Sequence, residues 1–287
     1  MLKSFVVPVL LAGLTAAAAA AQNAPKIEFP AASPPCKVEQ RVGLTDVTIS
    51  YARPSAKGRK IFGELVPHGE VWRTGANSNT TVTFSTPVKF GGRDVPAGTY
   101  SLHTIPGTAE WTVILNDAVD GWGSYAYDAK KDRARAVVKS ATLAEPVETL
   151  EIGLQDLRDT SATLCIAWER TRVAVKLEVD VKGVLLPQIE AAMKGDGPKP
   201  YLQAAMFYYE HGLDLKQALA WMEAGIAERP DAFWMTYRKG LILEKLGDKA
   251  GAVAAAEQSL ELARKAQGGI KDEYVRLNEA LLARLRK

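Results

Sequence analysis

One stretch of nine residues holds the densest group of side chains able to recognise a ligand. It reads Trp72-Arg73-Thr74-Gly75-Ala76-Asn77-Ser78-Asn79-Thr80, so an aromatic ring, a guanidinium and several amide and hydroxyl groups are neighbours. Arginine binds a carboxylate or phosphate through two parallel hydrogen bonds, and amides and hydroxyls orient neutral polar groups. An aromatic ring suits a sugar or another ligand with one apolar face. The stretch therefore indicates a site for a small polar or anionic ligand.

A basic cluster precedes this stretch. Within 53–60 there are four basic residues and no acidic one. Further candidates come later: His103 alternates with Leu102 and Thr104 on a predicted strand, and Asn116, Trp122 and Tyr125 follow a predicted hairpin. The predicted ligand-binding residues are Arg53, Lys57, Arg59, Arg73, Asn77, Asn79, Thr80, His103, Asn116 and Trp122. The alternative is architectural: the arginines extend over a sheet edge, Asn-Ser-Asn forms a turn, and His103 is a hydrogen-bonded strand residue.

No motif selects a reaction. There is no G-x-S-x-G or H-E-x-x-H sequence, and the acidic residues near the basic cluster show no spacing that singles out a pair. Two cysteines and three histidines are too few and too scattered for a zinc-finger site, so we expect neither metal nor cofactor. A binding protein is favoured over an enzyme. The alternatives are an envelope hydrolase in which the same Arg and Asn residues stabilise negative charge, and a structural envelope protein.

The N-terminus resembles an export signal. Lys3 precedes the apolar run 5–14, and Ala19-Ala20-Ala21 fits an A-x-A cleavage site. We expect residues 1–21 to be removed and the mature chain to be periplasmic or secreted, without membrane insertion; the alternative is an ordinary buried helix. The net charge of +3 indicates no nucleic-acid partner.

Two cysteines, Cys36 and Cys165, stand 129 residues apart. Disulfides persist in exported proteins, so we expect a bridge between the N-terminal segment 22–36 and a later strand. A loop of this length stabilises by up to about 4–5 kcal/mol in the chain-entropy treatment. The alternative is two unpaired thiols.

The residue period divides the chain into two parts. From about 38 to 181 apolar and polar residues alternate, as in Val173, Val175, Leu177 and Val179, and turn sequences separate the runs. This pattern predicts an all-β antiparallel sandwich at 37–182. The stretch 57–67 breaks the alternation and is expected to be a short helix or an ordered loop.

Beyond Gly183 the period becomes helical. Residues 187–194 fit one helix, and the segments beginning at Lys199 and Phe233 superimpose with an offset of 34 residues, for example Ala218 on Ala252. That period is typical of tetratricopeptide repeats, which commonly present a groove to a peptide or protein partner. We expect a tetratricopeptide-like α-helical domain at 183–287. A generic helical bundle is the alternative, because the fit is partial.

Several motifs resemble an exported bacterial family, domain of unknown function 2911. They are Ser50-Tyr51-Ala52-Arg53-Pro54-Ser55, Lys57-Gly58-Arg59-Lys60-Ile61-Phe62-Gly63, Leu65-Val66-Pro67, Val71-Trp72-Arg73-Thr74-Gly75-Ala76-Asn77, Pro96-Ala97-Gly98-Thr99-Tyr100-Ser101-Leu102, Ile105-Pro106-Gly107, Trp111-Thr112-Val113-Ile114 and Trp122-Gly123. The resemblance covers about 37–180 and implies a fold unit without naming a reaction. Family members commonly carry Glu after the motif asparagine, where this chain has Ser78.

Overall fold

The computed structural model describes residues 28–287, so the predicted signal peptide and residues 22–27 of the N-terminal segment lie outside the described residues. The chain divides into two compact units, which separate between Val181 and Lys182. The first unit contains nine strands: β1 Pro35–Val42, β2 Thr45–Ala52, β3 Thr81–Phe84, β4 Val88–Phe90, β5 Arg93–Val95, β6 Gly98–Pro106, β7 Glu110–Asn116, β8 Asp132–Gln155 and β9 Ser161–Val179. A short 3-10 helix, Ala129–Lys131, precedes β8.

All strand pairs are antiparallel, in the order β1-β2-β3-β6-β7-β8-β9-β4-β5. The 24-residue strand β8 pairs with β7 along its first half and with β9 along its second half. The register of the β8–β9 pairing shifts near Val147. A strand bends at irregularities of this kind. The sequence prediction of an antiparallel β architecture is therefore confirmed.

Alternation places one face of each central strand in the core. In β2, Val47, Ile49 and Tyr51 are buried while their neighbours are more exposed, and β9 follows the same rule from Val173 to Val179. The Tyr51 hydroxyl accepts a hydrogen bond from the backbone N–H of Ile152 at 2.9 Å. This bond joins β2 to the second half of β8, so the buried face of β2 packs on that part of the sheet.

Four aromatic residues fill one end of this core. Phe62 contacts Trp72, Trp111 and Trp168 edge-on, with ring centroids 4.7–6.3 Å apart. Trp72 also stacks on Trp168 at 5.8 Å. Phe62 comes from the segment 57–67, which forms an ordered loop of turns with Ile61 and Val66 buried. Packing explains why this loop is ordered, because its apolar residues cover the end of the sheet while its polar residues face solvent.

The second unit contains helix α1, Val181–Lys194, apart from its first residue. It continues with α2 Tyr201–Glu210, α3 Leu215–Glu228, α4 Phe233–Leu246, α5 Lys249–Lys265 and α6 Ile270–Leu285. Helix α1 begins six residues before the predicted start, and Pro187 lies within it. A proline there removes one backbone donor but does not end the helix. Among the described residues, none of the helices is both long and apolar enough to cross a bilayer.

Helices α3 and α5 begin at equivalent positions 34 residues apart. Asp214 caps α3 through the N–H groups of Lys216 and Gln217, and Asp248 caps α5 through that of Gly251. Ala218 and Ala252, the predicted equivalents, are both fully buried. Small residues at these positions let the helices of each pair approach closely.

Candidate functional site

The basic cluster at 53–60 binds the protein's own backbone. Arg53 donates from Nε to the Leu150 carbonyl at 2.8 Å and pairs with Glu151 at 3.2 Å. Arg59 donates to the carbonyls of Ala56 and Ser55 at 2.9 and 2.7 Å. These guanidinium groups hold the ordered loop and β8 in place.

Lys57 lies on the same loop with its side chain exposed. Its backbone N–H donates to the Glu148 carboxylate at 2.8 Å, and its φ of 49° places it in the left-handed region. The structure therefore groups Arg53, Lys57 and Arg59 around β8. None of their hydrogen bonds and ion pairs among the described residues involves the stretch 72–80.

The stretch 72–80, here named the polar loop, is fixed to β6. Trp72 and Thr104 exchange two backbone hydrogen bonds, and the hydroxyls of Thr74 and Thr104 lie 3.1 Å apart. The Thr80 hydroxyl donates to the Thr74 carbonyl at 2.8 Å. Thr80 is fully buried, so its side chain supports the loop. The polar loop thus lies beside the part of β6 that contains His103.

Two residues of the polar loop have a left-handed backbone. Thr74 has φ 54° and Asn77 has φ 62°. For the β-branched threonine this conformation is strained, and such strain concentrates at binding and catalytic sites. The hydrogen bonds of Trp72, Thr74 and Thr80 hold the strained loop in shape.

A second segment, residues 118–127, packs over the polar loop and is named the covering loop. Asn79 N–H donates to the Gly121 carbonyl at 3.0 Å, and Gly123 N–H donates to the Asn77 carbonyl at 3.2 Å. A Cβ atom on Gly121 would lie 2.7 Å from Asn79 Nδ2, so only glycine permits this approach. Ser78, where the family commonly has Glu, forms an isolated bridge with Trp122.

Beneath the covering loop lies a cavity of about 10 Å³ lined by polar side chains, among them Asn79, His103, Asn116 and Tyr127. The Ser101 hydroxyl lies 3.4 Å from His103 Nδ1, and the rings of His103 and Tyr127 are 5.1 Å apart. A space of this size accommodates roughly one water molecule or a group of similar size.

Hydrogen bonds fix the residues around this cavity. Asn116 Nδ2 donates to Asp132 at 2.7 Å and to the Asp128 carbonyl at 2.9 Å, and its Oδ1 accepts from Ala118 N–H. The Tyr127 hydroxyl donates to Asp132 at 2.7 Å. Asn116 therefore anchors the covering loop. Its side chain has a structural role in forming the cavity.

Two buried atoms of this region have no hydrogen-bond partner among the described residues: Arg73 Nε and Asn79 Oδ1. Arg73 Nε is a hydrogen-bond donor and Asn79 Oδ1 is an acceptor, so each needs a partner of the opposite kind. Buried polar atoms are almost always paired in native proteins, and an exception requires an explanation. A ligand that carries both an acceptor and a donor provides one.

Burial also changes the protonation equilibria here. It lowers the pKa of Arg73, an effect opposed by the Tyr125 phenol. It lowers the pKa of His103 to about 4, against the smaller effect of Asp132. His103 is therefore neutral at pH 7. Burial, together with Asp132, raises the pKa of Tyr127 to about 12.

Two large aromatic side chains of the covering loop face solvent. Trp122 is 65% exposed and Tyr125 is 91% exposed. The Tyr125 phenol acts electrostatically on the Arg73 guanidinium, where it raises the pKa. Both aromatic residues are sequence candidates after the predicted hairpin, and Trp122, but not Tyr125, is among the predicted ligand-binding residues.

A larger cavity of the first unit lies elsewhere. It measures about 870 Å³, and its lining includes residues of β4, β5 and the end of β9. Four of its charged residues form two ion pairs, Lys89 with Asp94 at 2.6 Å and Lys176 with Glu178 at 2.7 Å.

The cysteines also differ from expectation. Both are free thiols, Cys36 partly exposed and Cys165 buried, so the structure contains no disulfide between them. Cys36 lies in β1, opposite Tyr51 of β2. Within residues 28–287, no three His, Cys, Asp or Glu side chains come together in a way that would hold a metal ion.

The family model described as protein of unknown function (DUF2911) matches residues 33–177, half of the chain. The chain belongs to this family. The matched region comprises the polar loop, the covering loop and nearly all of the first unit. No curated protein and no solved structure matches the chain.

Proposed function

We propose that the DUF2911 unit binds a small polar or anionic ligand at Arg73, between the polar loop and the covering loop. The observation that carries this proposal is the buried Arg73 Nε, which has no partner among the described residues, in the loop on which the covering loop with its exposed Trp122 and Tyr125 packs. A carboxylate or phosphate oxygen would accept from this Nε. Charge-assisted bonds of this kind are about twice as strong as neutral ones.

Asn79 narrows the chemistry of the ligand. Its Oδ1 needs a donor, and the adjoining cavity of about 10 Å³ has room for a hydroxyl or an ammonium group. The exposed faces of Trp122 and Tyr125 suit an apolar surface such as that of a sugar ring. Together these features favour a compound with one acidic group, at least one donor and one apolar face, such as a sugar acid.

We further infer that the protein is exported and works in the periplasm or outside the cell. The export signal at 1–21 supports this, although it lies outside the described residues. We also infer that the helical unit is tetratricopeptide-like and binds a peptide or protein partner. The 34-residue equivalence of α3 and α5, with aspartate caps at both starts, supports this inference.

A thermal-shift screen tests the ligand proposal. The full mature chain is screened against small carboxylic acids, sugar acids, sugar phosphates and neutral sugars. We expect acidic compounds to raise the melting temperature of the wild type, because a ligand that binds only the native state stabilises it. Hits are then measured by calorimetry.

The matched variants are Arg73→Gln and Arg93→Gln. Arg93 is an exposed arginine of the same unit, on β5. We expect the affinity to fall by about 10-fold or more in Arg73→Gln, in line with a lost charged hydrogen bond, and to be unchanged in Arg93→Gln. Equal affinities in the two variants would place the ligand elsewhere, and the absence of any hit among the acidic compounds would remove the proposal.

The hydrolase alternative stays a prediction. Ser101 and His103 are adjacent but both are almost fully buried, and the Ser101 hydroxyl also donates to the Asn116 carbonyl at 3.3 Å. A nucleophile would need access to substrate. The geometry therefore favours binding.

A further inference from the structure

A second cavity of the DUF2911 unit contains both thiols of the chain. It measures about 510 Å³, and its lining includes Cys36, Cys165, Tyr51, Arg53 and Arg172. Although 129 residues separate the two cysteines in the sequence, the fold brings them to one hollow between β1 and the β8–β9 pair. Neither thiol belongs to the ligand site at Arg73.

The Tyr51 hydroxyl connects the surroundings of the two sulfurs. It accepts from Ile152 N–H at 2.9 Å, and it is hydrogen-bonded to the Cys36 thiol, a contact that adds to the effect of burial in raising the pKa of Tyr51 to about 12. The residue after Ile152, Gly153, pairs with Cys165 across β8 and β9. Tyr51 thus links the strand that pairs with Cys36 to the strand that pairs with Cys165.

Arg172 supplies a positive charge at Cys165. Its Nη2 lies 3.0 Å from Cys165 Sγ and 2.7 Å from Gln155 Oε1. Its Nε is buried without a partner among the described residues. Arginine beside a sulfur is the setting in which cysteines react as thiolates.

We propose that Cys36 and Cys165 are a thiol pair that undergoes thiol–disulfide exchange, with the partly exposed Cys36 as the attacking sulfur and the buried Cys165, beside Arg172, as the resolving one. The Cys36 thiolate attacks one sulfur of a small disulfide, forms a mixed disulfide and releases the first thiol. The Cys165 thiolate then attacks Cys36 Sγ, which forms the Cys36–Cys165 bond and releases the second thiol. One disulfide is reduced to two thiols while the protein loses two hydrogens, so electrons balance.

Oxidised glutathione is the probe for this reaction. The reduced full chain is incubated with it, digested without reduction and analysed by mass spectrometry. We expect the loss of two hydrogens and one cross-linked species containing Cys36 and Cys165. Cys165→Ser should instead accumulate a stable glutathione adduct on Cys36. Two retained free thiols, or separate adducts on both cysteines of the wild type without a cross-link, would overturn the proposal.

The part assigned to Arg172 is tested by the rate of exchange. Arg172→Gln should slow the formation of the cross-link about 3- to 10-fold near neutral pH, and Arg172→Lys should restore part of the rate because it keeps the charge. Arg158→Gln, an exposed arginine in the turn before β9, is the control and should react at the wild-type rate. Equal rates in all three variants would show that Arg172 has no part in the exchange. Circular dichroism verifies that each variant is folded.

Discussion

Arg53 and Arg73 have the same side chain but opposite surroundings. Arg53 Nε donates to a backbone carbonyl at 2.8 Å, whereas Arg73 Nε is buried without a partner among the described residues. The first arrangement stabilises the fold, whereas the second costs free energy as long as the donor stays unpaired. This contrast is the reason for assigning the ligand to Arg73.

The contrast leads to a prediction about stability. Arg53→Met should lower the free energy of unfolding by about 1–2 kcal/mol, because it leaves the Leu150 carbonyl unpaired. Arg73→Met should leave it unchanged or raise it by about 1 kcal/mol, because it removes an unpaired buried donor. Urea unfolding of both variants measures the difference. A larger loss in Arg73→Met than in Arg53→Met would mean that Arg73 is structural.

His103 gives a prediction about pH. Its pKa in the folded protein is about 4, below the ordinary value of 6.5, so the folded state resists protonation. The contribution of His103 to stability is fully present above pH 6.5 and is lost as the pH falls towards 4. Between pH 7 and pH 5 it decreases by about 2 kcal/mol. Urea unfolding of the wild type and His103→Gln should show this extra decrease only in the wild type; parallel pH profiles would contradict it.

At the residue scale, the sequence predicts which side-chain types suit recognition better than it predicts which groups they contact. Arg73 and Asn79 belong to the polar loop, and each has a buried atom without a partner among the described residues. Trp72, the aromatic ring of the same stretch, instead packs in the core against Phe62 and Trp168. Arg53 and Arg59 were selected on the same grounds, yet they bind carbonyls. Those carbonyls belong partly to β8, almost a hundred residues later, and local composition carries no information about such distant contacts.

At the scale of elements, two loops shape the candidate site and the strands support them. The polar loop is held by β6, and the covering loop is held by Asn116 at the end of β7 and by Asp132 at the start of β8. The alternating pattern predicted the strands, since one face of each had to be buried. It did not predict that the covering loop packs on the polar loop, because that contact depends on glycine positions and backbone bonds.

Two glycines in the β4–β5 hairpin, Gly91 and Gly92, allow a test of how closely the strands pack. Gly91 and Gly92 both have positive φ, but a Cβ on Gly91 would lie 2.4 Å from Ala136 Cβ, whereas one on Gly92 would meet nothing within 4 Å. Gly92→Ala should cost about 1–2 kcal/mol through its backbone conformation. Gly91→Ala should cost at least about 1 kcal/mol more through overpacking. Equal losses in thermal unfolding would contradict this packing of the hairpin.

At the scale of the whole molecule, the chain consists of two units with different periods. The change from strands to helices was visible in the sequence, and α1 begins at Val181, close to the predicted change at Gly183. The sequence pattern predicts a start of α1 at Pro187, which is six residues too late. Proline is favoured at a helix start but is also tolerated, at a cost, inside one.

The division predicts that the helical unit folds alone. Residues 182–287 have their own buried clusters, including Ala218 and Met222 in one and Ala252 and Leu281 in another. Expressed separately, this fragment should give a helical circular dichroism spectrum and a cooperative thermal transition. An unfolded spectrum would show that its helices depend on the rest of the chain.

The central claim is that Arg73 Nε–H is the donor that a ligand occupies. Its most direct test is a nitrogen-15 NMR spectrum of the arginine Nε–H groups, with the Arg73 signal assigned by its absence in Arg73→Gln. On addition of an acidic compound from the screen, the account predicts that the Arg73 signal shifts and gains protection from solvent exchange. An unmoved Arg73 signal at saturating ligand, while other arginine signals shift, would contradict the account.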